Sequence, residues 1–162
     1  MNYLHWSPFY SSETLLIDAY NDMQNYSLAK ANTIPFIIQL FENPKYDFIR
    51  FGRLPGSIDL FKHDLLHILL NQDMSMHGEA YVIGYTMGST KRVTAIDIIV
   101  FKLISRFIYP KNYKFDSHAL SFFDTGIEDG YSSNAMDLNK VNFNRLLNKP
   151  LYEVRSLLKI LP

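Results

Sequence analysis

Apolar residues recur at helical spacing along much of the chain. Near the N-terminus, Leu16, Ala19, Tyr20 and Met23 lie three or four positions apart, which is the period of one face of an α-helix. Similar patterns recur further along, bounded by capping Ser residues and by Pro, and no convincing β-hairpin pattern is present. We therefore predict an all-α bundle of five to seven helices. The predicted helices lie near residues 13–23, 34–42, 57–70, 75–88, 91–109, 115–132 and 150–160.

The segment 91–109 is the most apolar part of the chain. It is apolar on nearly every side, so we predict that it forms the central helix and ends at Pro110. β-branched residues at 80–85 and 96–101 leave a strand as the alternative at those two places. Charged residues interrupt the segment, so no run reaches the ~18 apolar residues that a membrane span needs.

Length and composition indicate one soluble domain covering residues 1–162. Apolar residues make up 48% and charged residues 20%, which is typical of a globular protein rather than a disordered one. The 16 basic and 16 acidic residues balance, which argues against a nucleic-acid partner. The first basic residue is Lys30, so we see no signal or transit peptide and expect a cytoplasmic protein, compatible with peripheral contact at the inner face of a membrane.

The chain contains no cysteine. This excludes disulfide scaffolds, thiolate nucleophiles and cysteine-based zinc fingers. Any metal must therefore be held by His, Asp and Glu side chains.

His63, Asp64 and His67 form a cluster on the predicted helix 57–70. Residues four apart lie above one another on one helix face, so the two imidazoles can converge on one point. Asp64 lies ~100° around the helix from His63 but three residues from His67, so it adjoins both. This pattern indicates a transition-metal site.

Glu79 lies on the next predicted helix, after a connection of about five residues that would force an antiparallel helical hairpin, near residues 57–88. We expect Glu79 at a height similar to His67, with Gly78 allowing the helices to approach closely. Two imidazoles with one or two carboxylates suit Zn²⁺, and also Fe²⁺ or Mn²⁺. The alternative is a hydrogen-bonded core without a metal, although burying several ionisable groups without one is costly.

The other histidines are not expected to be ligands. His77 is two residues before Glu79 and so lies ~200° away around the helix, and His5 and His118 are isolated. Two known motifs also fail to match. Zincin proteases have Glu where this chain has Asp64, and the His-Asp phosphohydrolases need an upstream helical His that is missing between His5 and His63.

The spacing His63-Asp64-x-x-His67, eleven residues, then Glu79 resembles the motif of the Coq-four family of ubiquinone (coenzyme Q) biosynthesis proteins. Three flanking segments also resemble the family: 54–57 (Leu-Pro-Gly-Ser), 78–80 (Gly-Glu-Ala) and 150–155 (Pro-Leu-Tyr-Glu-Val-Arg). The resemblance covers roughly residues 51–160, and Leu66 stands where the family commonly has Trp.

The resemblance implies a helical protein that binds a divalent metal, usually zinc, through the four motif residues, here His63, Asp64, His67 and Glu79. It also implies removal of the C1 carboxyl from a polyprenylated benzoate precursor, with hydroxylation there, and organisation of the biosynthetic complex. The implied partners are a polyprenyl quinone precursor or isoprenoid lipid and other quinone-biosynthesis proteins.

Three functions are therefore weighed. The first is a metal-dependent lyase, a decarboxylase of ubiquinone biosynthesis. The second is a non-catalytic isoprenoid-binding scaffold with a structural metal, and the third is a hydrolase with an unrelated helical metal site. For either of the first two we expect an apolar tunnel beside the metal, partly walled by residues 93–109, with its mouth near a membrane; an oligomer is also compatible with the sequence.

Overall fold

The computed structural model describes residues 6–27 and 54–160. Within these ranges the chain forms six α-helices and no sheet, apart from one isolated bridge between Leu15 and Pro150, which confirms the all-α prediction. The helices are α1 (Leu16–Ser27), α2 (Leu60–Leu69), α3 (Met76–Ser89), α4 (Ala95–Leu103), α5 (Ser117–Ser132) and α6 (Leu151–Leu158). The predicted helix at 34–42 lies outside the described residues, and the segments 80–85 and 96–101 are helical rather than extended.

The starts of α2 and α3 are set by side-chain caps. Asp59 accepts the backbone N–H of Lys62 at 2.9 Å, so α2 begins at Leu60 and not near residue 57 as predicted. The residues before it form a tight turn, in which Gly56 has a φ of 86° that favours glycine. Ser75 caps α3 as predicted, accepting the Gly78 N–H at 3.2 Å.

The predicted helix 91–109 is shorter and begins later. Lys91 has a left-handed backbone (φ 56°), which ends α3 in the way that C′ residues do. Thr94 and Asp97 then form a capping box that starts α4 at Ala95. After Leu103 the helix continues as a π-helical turn, Ile104–Ile108, closed by the N–H of Tyr109 on the Ile104 carbonyl at 3.0 Å.

The prediction that segment 91–109 is central is wrong, because α3 occupies that position. α3 contributes Val82 and Tyr85 to a core cluster shared with α1, α2 and α6. It contributes Ala80 and Met87 to a second cluster shared with α4 and α5. In α4 the buried side chain is Phe101, and much of the helix faces outward.

Glycines let α3 and α5 pack backbone against backbone. A Cβ on Gly84 would lie 2.2 Å from the Phe123 carbonyl oxygen, and one on Gly126 would lie 2.3 Å from that of Tyr81. The same pair of helices is joined by the Tyr81 hydroxyl, which donates to Asp129 at 2.8 Å. These contacts fix α3, the helix that carries Glu79, against α5.

The N-terminus of α1 is held by the loop before α6. The first helical N–H groups, of Leu16 and Ile17, donate to the carbonyls of Lys149 and Leu147 at 3.0 and 2.9 Å. These bonds satisfy donors that a helix end otherwise leaves open. None of the helices in the described ranges is long and apolar enough to cross a membrane.

Candidate metal centre

A six-residue turn connects α2 to α3 and brings Glu79 to the last turns of α2. Within the turn Asn71 has a left-handed backbone (φ 53°). Gly78 faces this turn, since a Cβ there would lie 2.0 Å from the Asp73 carbonyl oxygen. The expectation that Gly78 lets the two helices approach closely therefore needs revision: its small size makes room for the connecting turn.

His63, His67 and Glu79 form a cluster that could hold a metal ion, with their ligand atoms within 4.8 Å of one another. The Glu79 Oε2 atom lies 3.4 Å from Nε2 of His63 and 3.6 Å from Nε2 of His67. The two imidazole rings are 4.7 Å apart and nearly perpendicular. The structure thus brings together three of the four residues singled out in the sequence.

His67 is oriented by the connecting turn. Its Nδ1 lies 3.2 Å from the Gln72 carbonyl, and because a carbonyl can only accept, Nδ1 carries the proton. The Gln72 N–H in turn donates to the His67 carbonyl at 2.9 Å. In the neutral imidazole Nε2 therefore presents its lone pair to Glu79, and a backbone bond of this kind is typical of metal-binding histidines.

Nε2 of His67 fits a metal better than a hydrogen bond. The His67 side chain is fully buried, and Nε2 has no hydrogen-bond partner among the described residues. Its distance to Glu79 exceeds the 2.7–3.2 Å range of N–H···O bonds. Two ligands of a tetrahedral ion at ~2.0–2.1 Å lie about 3.3–3.4 Å apart, close to the separations observed here. A cation between the imidazoles and the carboxylate would give Nε2 of His67 a partner.

Asp64 does not share this cluster. Its Oδ2 accepts the side-chain N–H of Gln24, on α1, at 2.9 Å, and its Oδ1 lies 4.0 Å from Nδ1 of His63. Asp64 is buried. Burial of the neighbouring Tyr20 hydroxyl raises the pKa of that hydroxyl, and the Asp64 charge raises it further. Asp64 therefore places a negative charge beside the His63 ring, on the side away from Nε2. Its role as a direct ligand stays a prediction.

The three side chains of the cluster differ in their exposure to solvent. The side chains of His67, His63 and Glu79 are 0%, 15% and 27% exposed, respectively. An ion at the cluster would thus be anchored on its His67 side and reachable from its Glu79 side.

His77 and His118 lie apart from the cluster and contact each other instead. Their rings are 4.5 Å apart, and His77 also stacks on Phe122 at 4.8 Å. The sequence had read both as non-ligands, and neither belongs to the cluster formed by the described residues.

Spacing alone did not reveal the residues that support the site. Gln24 is 40 positions from Asp64, and Gln72 acts through its backbone. Arg155 binds the C-terminal end of α2, donating to the carbonyls of Leu69 and Ile68 at 2.9 and 3.0 Å. Arg155 lies in the C-terminal segment 150–155 that the sequence analysis singled out.

A pocket of about 390 Å³ lies elsewhere. It is lined by Leu54, Pro55, Gly56, Arg92, Asn139 and Lys140. None of these residues belongs to the metal cluster, and the apolar tunnel expected beside Glu79 stays a prediction.

No family model, curated protein or solved structure matches the chain. The candidate function therefore depends on the geometry of the cluster and on the sequence motif that led to it.

Proposed function

We propose that this protein is a metal-dependent decarboxylase of ubiquinone biosynthesis, acting at C1 of a polyprenylated benzoate precursor. The observation that carries the proposal is the convergence of both Nε2 atoms on Glu79 Oε2, at 3.4 and 3.6 Å. The reaction and substrate come from the resemblance of this motif to the Coq-four family. Zinc is the proposed metal, since two imidazoles and a carboxylate suit it.

The residues that the structure describes supply three ligands, and this number favours catalysis over a purely structural role. Structural zinc sites are closed by four protein ligands, whereas catalytic sites keep three and leave a position for substrate or water. Here Asp64 is directed to Gln24 and outside the cluster. The partial exposure of Glu79 gives a substrate a side from which to approach.

The residues at the site would have different roles in the proposed reaction. His67, held through Nδ1 by the turn, would fix the position of the ion, and His63 and Glu79 would supply two further ligands. Asp64 places its carboxylate 4.0 Å from Nδ1 of His63, on the side of the ring away from the ion. A divalent metal bound here would polarise the carboxylate or phenol oxygen of the ring and stabilise the charge that develops as carbon dioxide leaves. Hydroxylation at the same carbon would need dioxygen together with a two-electron reductant as co-reactants, because zinc has no redox chemistry of its own.

The test is restoration of ubiquinone in a bacterial strain that lacks the C1 decarboxylation step. The wild-type chain should restore ubiquinone and consume the carboxylated precursor, both measured by mass spectrometry. Glu79→Gln and His67→Ala should restore less than a tenth as much, as loss of a ligand implies. His77→Ala is the matched control and should behave as wild type, because His77 lies outside the cluster.

Two results would count against the proposal. Failure of the wild-type chain, expressed and folded, would remove the pathway assignment. Full restoration by Glu79→Gln and His67→Ala would leave the alternative, a non-catalytic isoprenoid-binding scaffold that helps to organise the biosynthetic complex. Release of labelled carbon dioxide from the precursor by purified protein would separate catalysis from organisation directly.

A further inference from the structure

A second candidate site lies in the basic pocket, as we call the open pocket of about 390 Å³ lined by Leu54, Pro55, Gly56, Arg92, Asn139 and Lys140. Its volume falls in the range of sites that bind small organic molecules. Three separate segments meet there: the turn at 54–56, the connection between α3 and α4, and the 3₁₀ turn Leu138–Lys140. The basic pocket therefore joins segments that are distant in the sequence and is not a groove along one helix.

The backbone of each segment is held in place by the rest of the fold. Gly56 packs so closely on α3 that a Cβ there would lie 2.7 Å from the Cα of Met87. The Lys91 ammonium binds backbone carbonyls at the end of α5, which anchors the connection that carries Arg92. Leu138, at the start of the 3₁₀ turn, is fully buried. The walls of the basic pocket are therefore preformed.

One carboxylate brings two cationic side chains together at the basic pocket. Oδ2 of Asp137 accepts a hydrogen bond from Nη2 of Arg92 at 3.1 Å and lies 3.4 Å from Nζ of Lys140. Because both distances share the Oδ2 atom, the two nitrogens are at most ~6.5 Å apart, and one oxyanion group can span this separation with N–H···O bonds of ~2.7–2.9 Å. The arrangement thus directs two cations at one place.

The two cations keep donors for a ligand. A guanidinium has five N–H donors and an ammonium has three, and Asp137 accepts one of those of Arg92. The side chains of Arg92 and Lys140 are 59% and 71% exposed, whereas that of Asp137 is 19% exposed. Lys62 brings a third cation to the same 3₁₀ turn, since its Nζ donates to the Asn139 carbonyl at 2.8 Å. The positive charges exceed the negative charge of Asp137, so an anion is the complementary ligand.

We propose that the basic pocket binds a small organic anion, in which a carboxylate or phosphate group is attached to a compact apolar body. Arg92 and Lys140 donate to the anionic group, since a guanidinium binds carboxylate and phosphate oxygens through paired N–H donors. Leu54 and Pro55 are the apolar residues of the lining. A bare inorganic ion would leave most of the pocket of about 390 Å³ unfilled, and this favours an anion with an organic body.

The basic pocket is separate from the candidate metal centre. Gly56 approaches Met87, which lies eight residues beyond Glu79 on α3, or ~12 Å along the helix axis at 1.5 Å per residue. None of the described residues that line the pocket belongs to the metal cluster. The inference therefore goes beyond the proposed function, and its test does not depend on the metal.

Titration of the full, isotope-labelled chain followed by NMR tests the proposal at physiological ionic strength. The probes are benzoate and phenyl phosphate, and the controls are inorganic phosphate, which lacks the apolar body, and benzyl alcohol, which lacks the charge. At least one probe should shift the amide signals of Gly56, Arg92 and Lys140 saturably and bind at least tenfold more tightly than either control. The tighter of the two probes identifies the anionic group. Glu79→Gln should show the same shifts, because Glu79 lies outside the pocket.

Two double variants complete the design. Arg92→Gln/Lys140→Gln should weaken binding of the probe at least tenfold while keeping the circular dichroism spectrum, since exposed replacements cost little stability. Lys114→Gln/Arg145→Gln removes the same two kinds of charge from exposed positions outside the pocket and should bind as wild type. Equal affinity of the two double variants would overturn the proposal, as would a wild-type titration without saturable shifts at Gly56. Inorganic phosphate that binds as tightly as phenyl phosphate would overturn the assignment of an organic ligand.

Discussion

Replacing Arg155 with glutamine should loosen the turn that positions His67. Arg155 lies on α6 and donates to the carbonyls of Ile68 and Leu69 at the end of α2. It also donates to the side-chain oxygen of Asn71 at 2.7 Å. Asn71 is followed directly by Gln72, whose carbonyl accepts the Nδ1 proton of His67. The Arg155 guanidinium is therefore linked to His67 through the turn residues Asn71 and Gln72.

The expected magnitude follows from these three bonds. Hydrogen bonds to charged groups contribute ~1.5–3 kcal/mol each. Burial opposes them, since desolvation lowers the pKa of Arg155, and a glutamine can replace one bond. We expect Arg155→Gln to reduce the free energy of unfolding by about 3 kcal/mol and, because the turn orients His67, to weaken metal binding by about tenfold.

Urea unfolding of metal-free protein and calorimetric metal titration measure the two effects separately. The matched control is Arg145→Gln, which removes the same charge from an exposed position. It should change stability by no more than about 0.5 kcal/mol. An Arg155→Gln protein as stable as the control would refute the importance of these bonds. Normal metal affinity in a folded but destabilised variant would refute the link to His67.

Gly84→Ala should destabilise the fold by about 2 kcal/mol in urea unfolding, because its Cβ would meet the Phe123 carbonyl at 2.2 Å; the gain expected from helix propensity alone would contradict this. Asp116→Ala should lower Tm at pH 7, because the Asp116 carboxylate caps α5 by accepting the Ala119 N–H. This bond lowers the pKa of Asp116, so its contribution is present above the ordinary carboxyl pKa and lost as pH falls through the lowered one; a Tm difference that does not shrink in acid would contradict this. Asp64→Asn should keep the fold and weaken metal binding by about ten- to a hundredfold, which unchanged calorimetric affinity would disprove.

Local signals made the α2–α3 hairpin predictable. The helical spacing of His63 and His67 placed both on one face, and the Ser75 cap fixed where α3 begins. With the short connection between them, these signals determine the height of Glu79. The observed contacts of Glu79 with both imidazoles agree with this reasoning.

Long-range contacts were not predictable in the same way. Asp64 lies about 100° around the helix from His63, and this angle did not decide whether the Asp64 side chain faces the cluster. In the structure the side chain binds Gln24, a residue of another helix. The apolar character of 91–109 indicated burial, but hydropathy does not specify what an apolar face contacts. α3 lies at the centre because Gly84 and Gly88 allow its backbone to approach α5 closely.

Metal analysis of the purified protein tests the central claim most directly. Elemental analysis combined with X-ray absorption should find one zinc per chain, bound by two imidazoles and one carboxylate. His67→Ala should lose this metal and His77→Ala should retain it, since only the first belongs to the cluster. Equal metal content in the two variants, or a coordination shell without imidazole, would contradict the account.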